Sequence, residues 1–419
     1  MAENLLKNCI PGVLSDRQVK ELIALKLIRG VRDLADQVDY SSVDLTLADE
    51  GYRLLSGSVK PFVSPEKASY RHHVLEDAQF TEKIRGHKGV YALEPHQTYV
   101  FKLEQTLDAA RLRNLQVFGQ ATAKSSVGRV DVLARLIVDG MNSYEEFTPN
   151  AFEHANGEMF VEITPMTFRV RVKAGCAVNQ LRLFYGQPKH AEISGAELFN
   201  TVLLRPDAES LVDDSLSVDL NPVRIGGLEA SAFCAHHNEQ FIDLWREHGA
   251  NPLDFWNIEL ARIGSQSGRR MLEIQKNAFY ILRSREKIRL PKNIAVYCRA
   301  IDETIGEMRI HYAGFVHPFF GENRRDRQLG TPLIFEVRGH DVNVALIQHE
   351  RMARLTFYRM SEDCKLKPKS KRRSKRNRAL PNKKNKYNEQ ELELSGLFGR
   401  WPTKLGRRKN RLVKISRRR

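Results

Sequence analysis

The sequence has few cysteines, and none of them has metal-binding spacing. Cys9, Cys176, Cys234, Cys298 and Cys364 are scattered over 419 residues, and no two of them form C-x-x-C. Disulfide frameworks usually show an even number of cysteines, and zinc-thiolate sites show close pairs. The pattern argues against both and indicates a reducing compartment.

Several other signals are missing. The chain has no run of about 18 apolar residues and no basic N-terminal region followed by an apolar stretch. We therefore expect a cytoplasmic protein without a membrane partner. His237-Asn238-Glu239 matches the H-x-E half of the zinc-deaminase signature, but the P-C-x-x-C half is absent. A P-loop, a GxGxxG turn and a GxSxG elbow are absent too.

The excess of positive charge in the composition comes from one end of the chain, and the rest of the chain has little net charge. The formal net charge is +16, but residues 364–419 alone hold 22 Lys and Arg against three Asp and Glu. Residues 1–363 keep 45 basic and 48 acidic residues and are nearly neutral. We predict a basic, largely disordered tail over residues 363–419, within which Leu392–Trp401 has enough apolar residues to dock or fold locally. It could bind nucleic acid through phosphates, but we expect removal of residues 364–419 to leave nucleotide turnover nearly unchanged.

The two halves of the chain resemble each other. Phe160–Ile163 (FVEI) is echoed 174 positions later by Ile334–Val337 (IFEV), and Ser42–Leu45 (SVDL) recurs as Ser217–Leu220 (SVDL). A repeat of this length indicates two copies of one domain, which we place at residues 1–195 and 196–362. The segment Lys124–Arg129 (KSSVGR) has no counterpart in the second copy.

Secondary-structure patterns favour a mainly β fold with a few short helices. Leu14–Ile23 is typical of an amphipathic helix with Ser15 as its N-cap. Short alternating segments separated by turn residues follow in both halves and predict β-barrels or sandwiches. Between Ser231 and Gln275 the second half is predicted to be more helical, including Phe241–Trp245 and Leu272–Ile274.

Three segments could carry chemistry. Lys124–Arg129 contains two hydroxyls, an ammonium and a guanidinium, which are suitable partners for a polyphosphate. The same residues are also consistent with a serine-capped helix whose charges face solvent. Glu162 and Glu336 each lie within an apolar strand. Each could be a buried carboxylate, which is costly and would indicate a function, or a glutamate that simply faces solvent. Ala313–Gly321 (AGFVHPFFG) predicts a hairpin that leads into the Glu336 strand.

These segments resemble, in order, the landmarks of the dCTP deaminases, a family related to the trimeric dUTPases. The matching segments are Leu14–Arg17, Ser42–Leu45, Lys124–Arg129, and Ala313–Gly321 followed by Phe335–Val337. The match is to the long, duplicated form of the enzyme. It implies two tandem distorted dUTPase-like barrels and zinc-independent deamination of dCTP to dUTP and ammonia. It also implies Mg²⁺ with the triphosphate, no metal ligand from the protein, and a homo-oligomer.

The resemblance also implies roles for individual residues. Glu336 would be the general base on a water that attacks C4, Ser125 and the carbonyl of Ala313 would hold that water, and Arg129 would stabilise developing charge. Substrate and phosphate binding would fall to Lys124, Ser126, Gly128, Gly314 and His317. Lys124 replaces the family's usual Arg, and His317 replaces its usual Asp.

The family builds one site from two neighbouring barrels, which suggests a division of labour within this chain. The first copy keeps Ser125 and Arg129, and the second keeps the Ala313 segment and Glu336. We therefore expect one composite site, with Glu162 as a relic or second base. Two alternatives stay open: a dUTP pyrophosphatase-like hydrolase, and a catalytically silent protein that binds nucleotides or nucleic acid.

Overall fold

The computed structural model describes residue 6 and residues 9–62, 69–149, 157–205, 213–301, 314–322, 330–366, 391–408 and 411–414, with the backbone alone for residues 308–310, 407–408, 411 and 413–414. Strands dominate both halves, and the helices are short. The mainly β fold predicted from the sequence is confirmed. None of the helices in these ranges is long and apolar enough to cross a bilayer.

The first half forms a nearly closed antiparallel barrel. Its strands are β1 (Gly12–Val13), β2 (Ile28–Arg29), β3 (Val43–Leu54), β4 (Thr81–Ile84), β5 (Val90–Leu93), β6 (Tyr99–Leu107), β7 (Val117–Ala123), β8 (Val132–Val138), β9 (Glu146–Phe147), β10 (Glu158–Pro165), β11 (Arg169–Lys173) and β12 (Ala177–Tyr185). The barrel sheet has the order β8-β10-β6-β3-β12-β7-β9. The helices are α1 (Asp16–Ala24), α2 (Leu34–Gln37), α3 (Ala109–Asn114) and α4 (Ser125–Gly128), with a π-helical turn at Arg71–Leu75.

The second half has two main sheets, together with smaller ones. Its strands are β13 (Glu192–Ile193), β14 (Leu203–Leu204), β15 (Ser215–Ser217), β16 (Val223–Ile225), β17 (Leu228–Ala230), β18 (Ala232–Ala235), β19 (Phe241–Asp243), β20 (Trp256–Glu259), β21 (Arg262–Ile263), β22 (Arg270–Ile274), β23 (Phe279–Ile288), β24 (Ile294–Ala300), β25 (Met308–Ile310), β26 (Gly314–Val316), β27 (Thr331–Gly339), β28 (Val344–Ile347) and β29 (Arg351–Arg359). The helices are α5 (Pro188–Ala191) and α6 (Ala196–Val202), with a 3₁₀ turn at Pro252–Asp254. One main sheet has the order β13-β29-β24-β26, and the other has β20-β18-β23-β27-β25, while β16-β17 and β21-β22-β28 form the smaller sheets.

The first predicted helix forms as expected. Helix α1 begins after Ser15, whose hydroxyl accepts a hydrogen bond from the Gln18 N–H, while the Gln18 side chain accepts one from the Ser15 N–H. This capping box satisfies two backbone donors that the first turn leaves unpaired. Val19 and Leu22 are buried on one face of the helix.

The helical prediction between Ser231 and Gln275 is wrong. Phe241–Asp243 forms β19, which pairs in parallel with β11 of the first half. In β22, Leu272 and Ile274 are buried while the residues between and before them are exposed. This alternation is the period of a strand with one buried face, which a short apolar run does not distinguish from a helix.

The C-terminal segment is not a detached tail where the structure describes it. Leu392, Leu394, Leu397 and Phe398 are buried in the core that fills the first barrel. Strands β30 (Leu405–Arg408) and β31 (Arg411–Lys414) form a hairpin. Apolar side chains within the basic sequence explain this packing, as expected for Leu392–Trp401, and they favour a structural role for this part of residues 364–419. Residues 367–390 and 415–419 lie outside the described part.

Candidate functional site

A cavity of about 700 Å³ lies between the two halves. The first half contributes Lys124, Ser125, Ser126 and Arg129, from the end of β7 and from the single turn of α4. The second half contributes Gly314 and His317, from β26 and the residue after it, and Glu336 from β27. The structure thus brings together most of the residues that the sequence singled out.

Arg129 and Glu336 meet at the bottom of this cavity. The Arg129 Nε lies 3.6 Å from the Glu336 Oε1, and both side chains are about nine-tenths buried or more. Burial raises the pKa of the Glu336 carboxyl to about 7, against the opposing effect of the Arg129 charge. A carboxyl with this pKa can accept and return a proton near neutral pH.

Lys124 and the two serines occupy the side of the cavity formed by the first half. The Lys124 ammonium is in contact with the Asp44 carboxylate, which also lines the cavity. Ser125 and Ser126 are half-buried. Gly128 is buried behind them and is not among the cavity-lining residues, so its predicted place at the substrate is not supported by its position.

The Ala313 segment is not the predicted hairpin. Strand β26 pairs with β24, whereas β27 pairs with β23 and β25. The connection therefore crosses from one sheet of the second barrel to the other instead of folding back on itself. Ala313 lies outside the described residues. An added Cβ at Gly314 would meet no heavy atom within 4 Å, so this position leaves open space in the cavity.

His317 is oriented by two residues of the first half. Its Nδ1 is 3.0 Å from the Ser41 hydroxyl, and its Nε2 is 3.8 Å from the Asp39 carboxylate. The imidazole thus has polar partners on both nitrogens at the edge of the cavity. Sequence reasoning missed these partners, although Ser41 directly precedes the Ser42–Leu45 landmark.

Strand β26 is also fixed from behind by Arg182, a fully buried residue of β12. Its guanidinium donates to the carbonyls of Val296 (2.9 Å) and Val316 (3.3 Å) and stacks 4.0 Å from the centroid of the Phe315 ring. Burial lowers the pKa of Arg182 to about 9. Nothing in the sequence marks this arginine, because its partners are backbone carbonyls of the other half.

Glu162 occupies the matching strand of the first barrel but lies away from the cavity. Its carboxylate accepts hydrogen bonds from Arg135, Ser58 (3.1 Å) and Tyr144 (3.0 Å). The side chain is only 1% exposed. Four donor contacts from three side chains, counting both Arg135 nitrogens, leave little room for a water or a substrate at this carboxylate.

Cys298 and the C-terminal segment are among the parts of the chain that line the cavity without having been assigned to the site from the sequence. The Cys298 thiol lies close to Glu336, and burial raises its pKa to about 12. Gly396 and Leu397 contribute from the C-terminal segment, where the Ser395 hydroxyl donates a 2.7 Å hydrogen bond to the Ser126 carbonyl. The C-terminal segment therefore supports the serine element directly.

Comparison with known families gives matches over nearly all of the folded chain. The N-terminal domain of 2'-deoxycytidine 5'-triphosphate deaminase matches residues 10–187, and the C-terminal domain of the same enzyme matches residues 196–398. This chain belongs to the dCTP deaminase family. A comparison with curated proteins found no match.

A solved structure agrees with this family membership. The chain is similar to the 2'-deoxycytidine 5'-triphosphate deaminase from Agrobacterium tumefaciens, with a TM-score of 0.72 and 27% sequence identity over 84% of this chain and 97% of the other. The family resemblance noted in the sequence is thereby confirmed, and dCTP deaminases are hydrolases.

Within the described residues, no group of three or more His, Cys, Asp and Glu side chains is arranged to hold a metal ion.

Proposed function

We propose that this protein deaminates dCTP to dUTP and ammonia without zinc, at one site built from both barrels. The observation that carries the proposal is the buried pair of Arg129 and Glu336, which joins the two halves at the bottom of the cavity. The product dUTP would supply dUMP and dTTP synthesis in the cytoplasm. The working form would be a homo-oligomer.

Glu336 would act as the base. Its carboxylate would take a proton from a water whose oxygen attacks C4 of the cytosine ring. It would return that proton to N3 and then pass the proton of the new C4 hydroxyl to the amine, so that the C4–N4 bond breaks, the C4 carbonyl forms and ammonia leaves. A pKa of about 7 supports this exchange, because both protonation states are then populated at neutral pH.

Arg129 and Ser125 would assist this step from the first barrel. A fixed guanidinium in a buried site can stabilise charge that develops during the attack. The family resemblance adds the Ser125 hydroxyl and the Ala313 carbonyl as the groups that hold the attacking water. Gly314 and His317 would contact the nucleoside.

The triphosphate would lie against Lys124 and Ser126. Their ammonium and hydroxyl are suitable partners for phosphate oxygens, and both residues line the cavity. Mg²⁺ prefers oxygen ligands and commonly binds through phosphates, water and one or two carboxylates. Asp36 and Asp39 line the same cavity and fit that donor set. The ion would neutralise phosphate charge when the nucleotide binds.

Product analysis tests the proposal against its alternatives. The protein is incubated with Mg²⁺ and dCTP, CTP, dCMP or dUTP, and ammonia and pyrophosphate are measured separately. We expect ammonia from dCTP. Pyrophosphate from dUTP would instead indicate a pyrophosphatase, and the absence of both products would indicate a silent binding protein.

A further inference from the structure

A second ion pair crosses between the barrels beside the proposed catalytic one. Arg129 faces Glu336, and Asp131, two residues later, faces Arg338. Because alternate residues of a strand point to the same side, Glu336 and Arg338 both project from β27 toward the first barrel. The polarity is reversed in the second pair, where the first barrel supplies the acid.

The two pairs differ in how tightly they are held. The Arg338 Nη1 is 2.5 Å from the Asp131 Oδ2, whereas Arg129 and Glu336 are 3.6 Å apart. Thr167 closes the tight pair into a triangle, since its hydroxyl donates to Asp131 (2.5 Å) and accepts from Arg338 (3.0 Å). A second guanidinium nitrogen of Arg338 donates to the Asn277 carbonyl at 3.2 Å, within the second barrel.

Asp131 also anchors the turn that carries Arg129. Its backbone has φ 55°, a left-handed conformation that costs a non-glycine residue about 1 kcal/mol and that aspartate tolerates better than most. Its N–H donates to the Gly128 carbonyl, and its own carbonyl accepts from the Met166 N–H, both at 2.9 Å. The side chain has no exposed surface. The turn is therefore fixed at both its backbone and its side chain.

We propose that Asp131, Thr167 and Arg338 form a clamp that sets the separation between Arg129 and Glu336. The proposal rests on the proposed function of that pair. The clamp residues touch no reacting atom and are positioning residues. A closed, dry network resists sliding of one barrel over the other, and a displacement of about 1 Å at a catalytic group can cost on the order of 100-fold in rate.

A clamp differs from an ordinary interface contact because releasing it changes the pKa of the Glu336 carboxyl. The groups that face this carboxyl are the Arg129 guanidinium and the Cys298 thiol, and Arg338 follows on its own strand. Releasing the clamp would let Arg129 move away, and the pKa of Glu336 would rise because burial would then act with less opposition. Neutralising Asp131 and Arg338 together keeps the net charge, so a change in the pKa reports geometry.

The test is the full-length double variant Asp131→Asn with Arg338→Gln. Its control is Arg171→Gln with Asp243→Asn, which neutralises another ion pair between the halves whose two residues do not line the cavity. Deamination of dCTP gives kcat and KM, and infrared difference spectra against Glu336→Gln give the titration midpoint of Glu336. If the double variant does not fold, Arg338→Lys is measured in its place, since it keeps the charge and loses the forked geometry.

In the double variant we expect kcat to fall by about 10- to 100-fold with little change in KM. The midpoint of the Glu336 titration should move to higher pH. The control should show neither effect. A lower melting temperature with unchanged kcat and midpoint would overturn the clamp. If the wild-type protein releases no ammonia, the proposed function fails, and the infrared midpoint alone then decides whether the clamp holds Arg129 to Glu336.

Discussion

Glu162 and Glu336 show how the same residue, in matching strands, acquires different chemistry. Glu162 is surrounded by donors from Arg135, Ser58 and Tyr144. Glu336 forms a 3.6 Å ion pair with Arg129 in the cavity, and burial raises the pKa of its carboxyl to about 7. The strand pattern marked both glutamates as unusual, and only the family resemblance favoured Glu336, because the partners of each glutamate come from distant segments.

Replacing each glutamate tests this distinction. We expect Glu336→Gln to lower kcat for dCTP deamination by at least about 100-fold, because the amide cannot accept the proton of the water. Glu162→Gln should keep kcat near the wild-type value and lower the free energy of unfolding by about 1–2 kcal/mol, since it weakens a partly screened ion pair. Loss of turnover in Glu162→Gln alone would show that the assignment is reversed.

The pH dependence of turnover follows from the raised pKa of Glu336. The base must be ionised to act, so kcat/KM for dCTP should rise with pH and level off above about 7. With an unperturbed glutamate as the base, kcat/KM would instead rise around pH 4.3. The profile should be measured with initial rates of ammonia release, and a flat profile between pH 5.5 and about 8 would exclude Glu336 as the base.

Among the elements, the sequence predicted best where the signal is local. The capping box of Ser15 and Gln18 needs only four residues, and helix α1 forms where it was expected. The Ala313 segment was misjudged because its pairing is not local: β26 joins β24, while β27 joins β23. Strand partners are decided by contacts between distant segments, which turn residues alone do not reveal.

Arg182 gives a prediction about strand β26. Arg182→Ala would leave the carbonyls of Val296 and Val316 without their donor and open a cavity beside Phe315. We expect the free energy of unfolding to fall by about 3 kcal/mol and KM for dCTP to rise, because β26 forms one wall of the cavity. Chemical denaturation and steady-state kinetics measure the two effects.

An exposed arginine in a neighbouring strand provides the control for Arg182. Arg299 lies in β24, the strand that pairs with β26, and its side chain is exposed. Arg299→Ala should leave both stability and KM nearly unchanged. If the two variants behave alike, Arg182 does not support the cavity wall.

At the scale of the whole molecule, the sequence revealed the duplication and the family, and it marked Leu392–Trp401 as a stretch able to dock within a basic segment. Overall charge suggested that residues 364–419 stand apart from the barrels. The structure instead packs Leu397 and Phe398 into the first core and hydrogen-bonds Ser395 to the Ser126 carbonyl. Net charge describes how a segment interacts with solvent and ions, whereas a few apolar residues decide whether it docks.

Truncation separates the charge of this segment from its apolar residues. A chain ending at Leu366 should lose stability and deaminate dCTP much more slowly, because it lacks the residues that pack beside Ser126. Phe398→Ala alone should lower the free energy of unfolding by about 3–5 kcal/mol.

The control removes charge only. The substitutions Lys371→Gln, Arg372→Gln and Arg373→Gln should leave turnover unchanged. Equal activity in all these variants would contradict a supporting role for the segment.

The position of Phe398 has a consequence for biosynthesis. Ribosomes make the first barrel early, yet Phe398 packs against Phe255 and Trp256 in a core shared with that barrel. The apolar surface around Phe255 and Trp256 must stay uncovered until almost the entire chain has been translated. A prematurely terminated product would keep that surface exposed, so it should be a preferred client of chaperones and proteases.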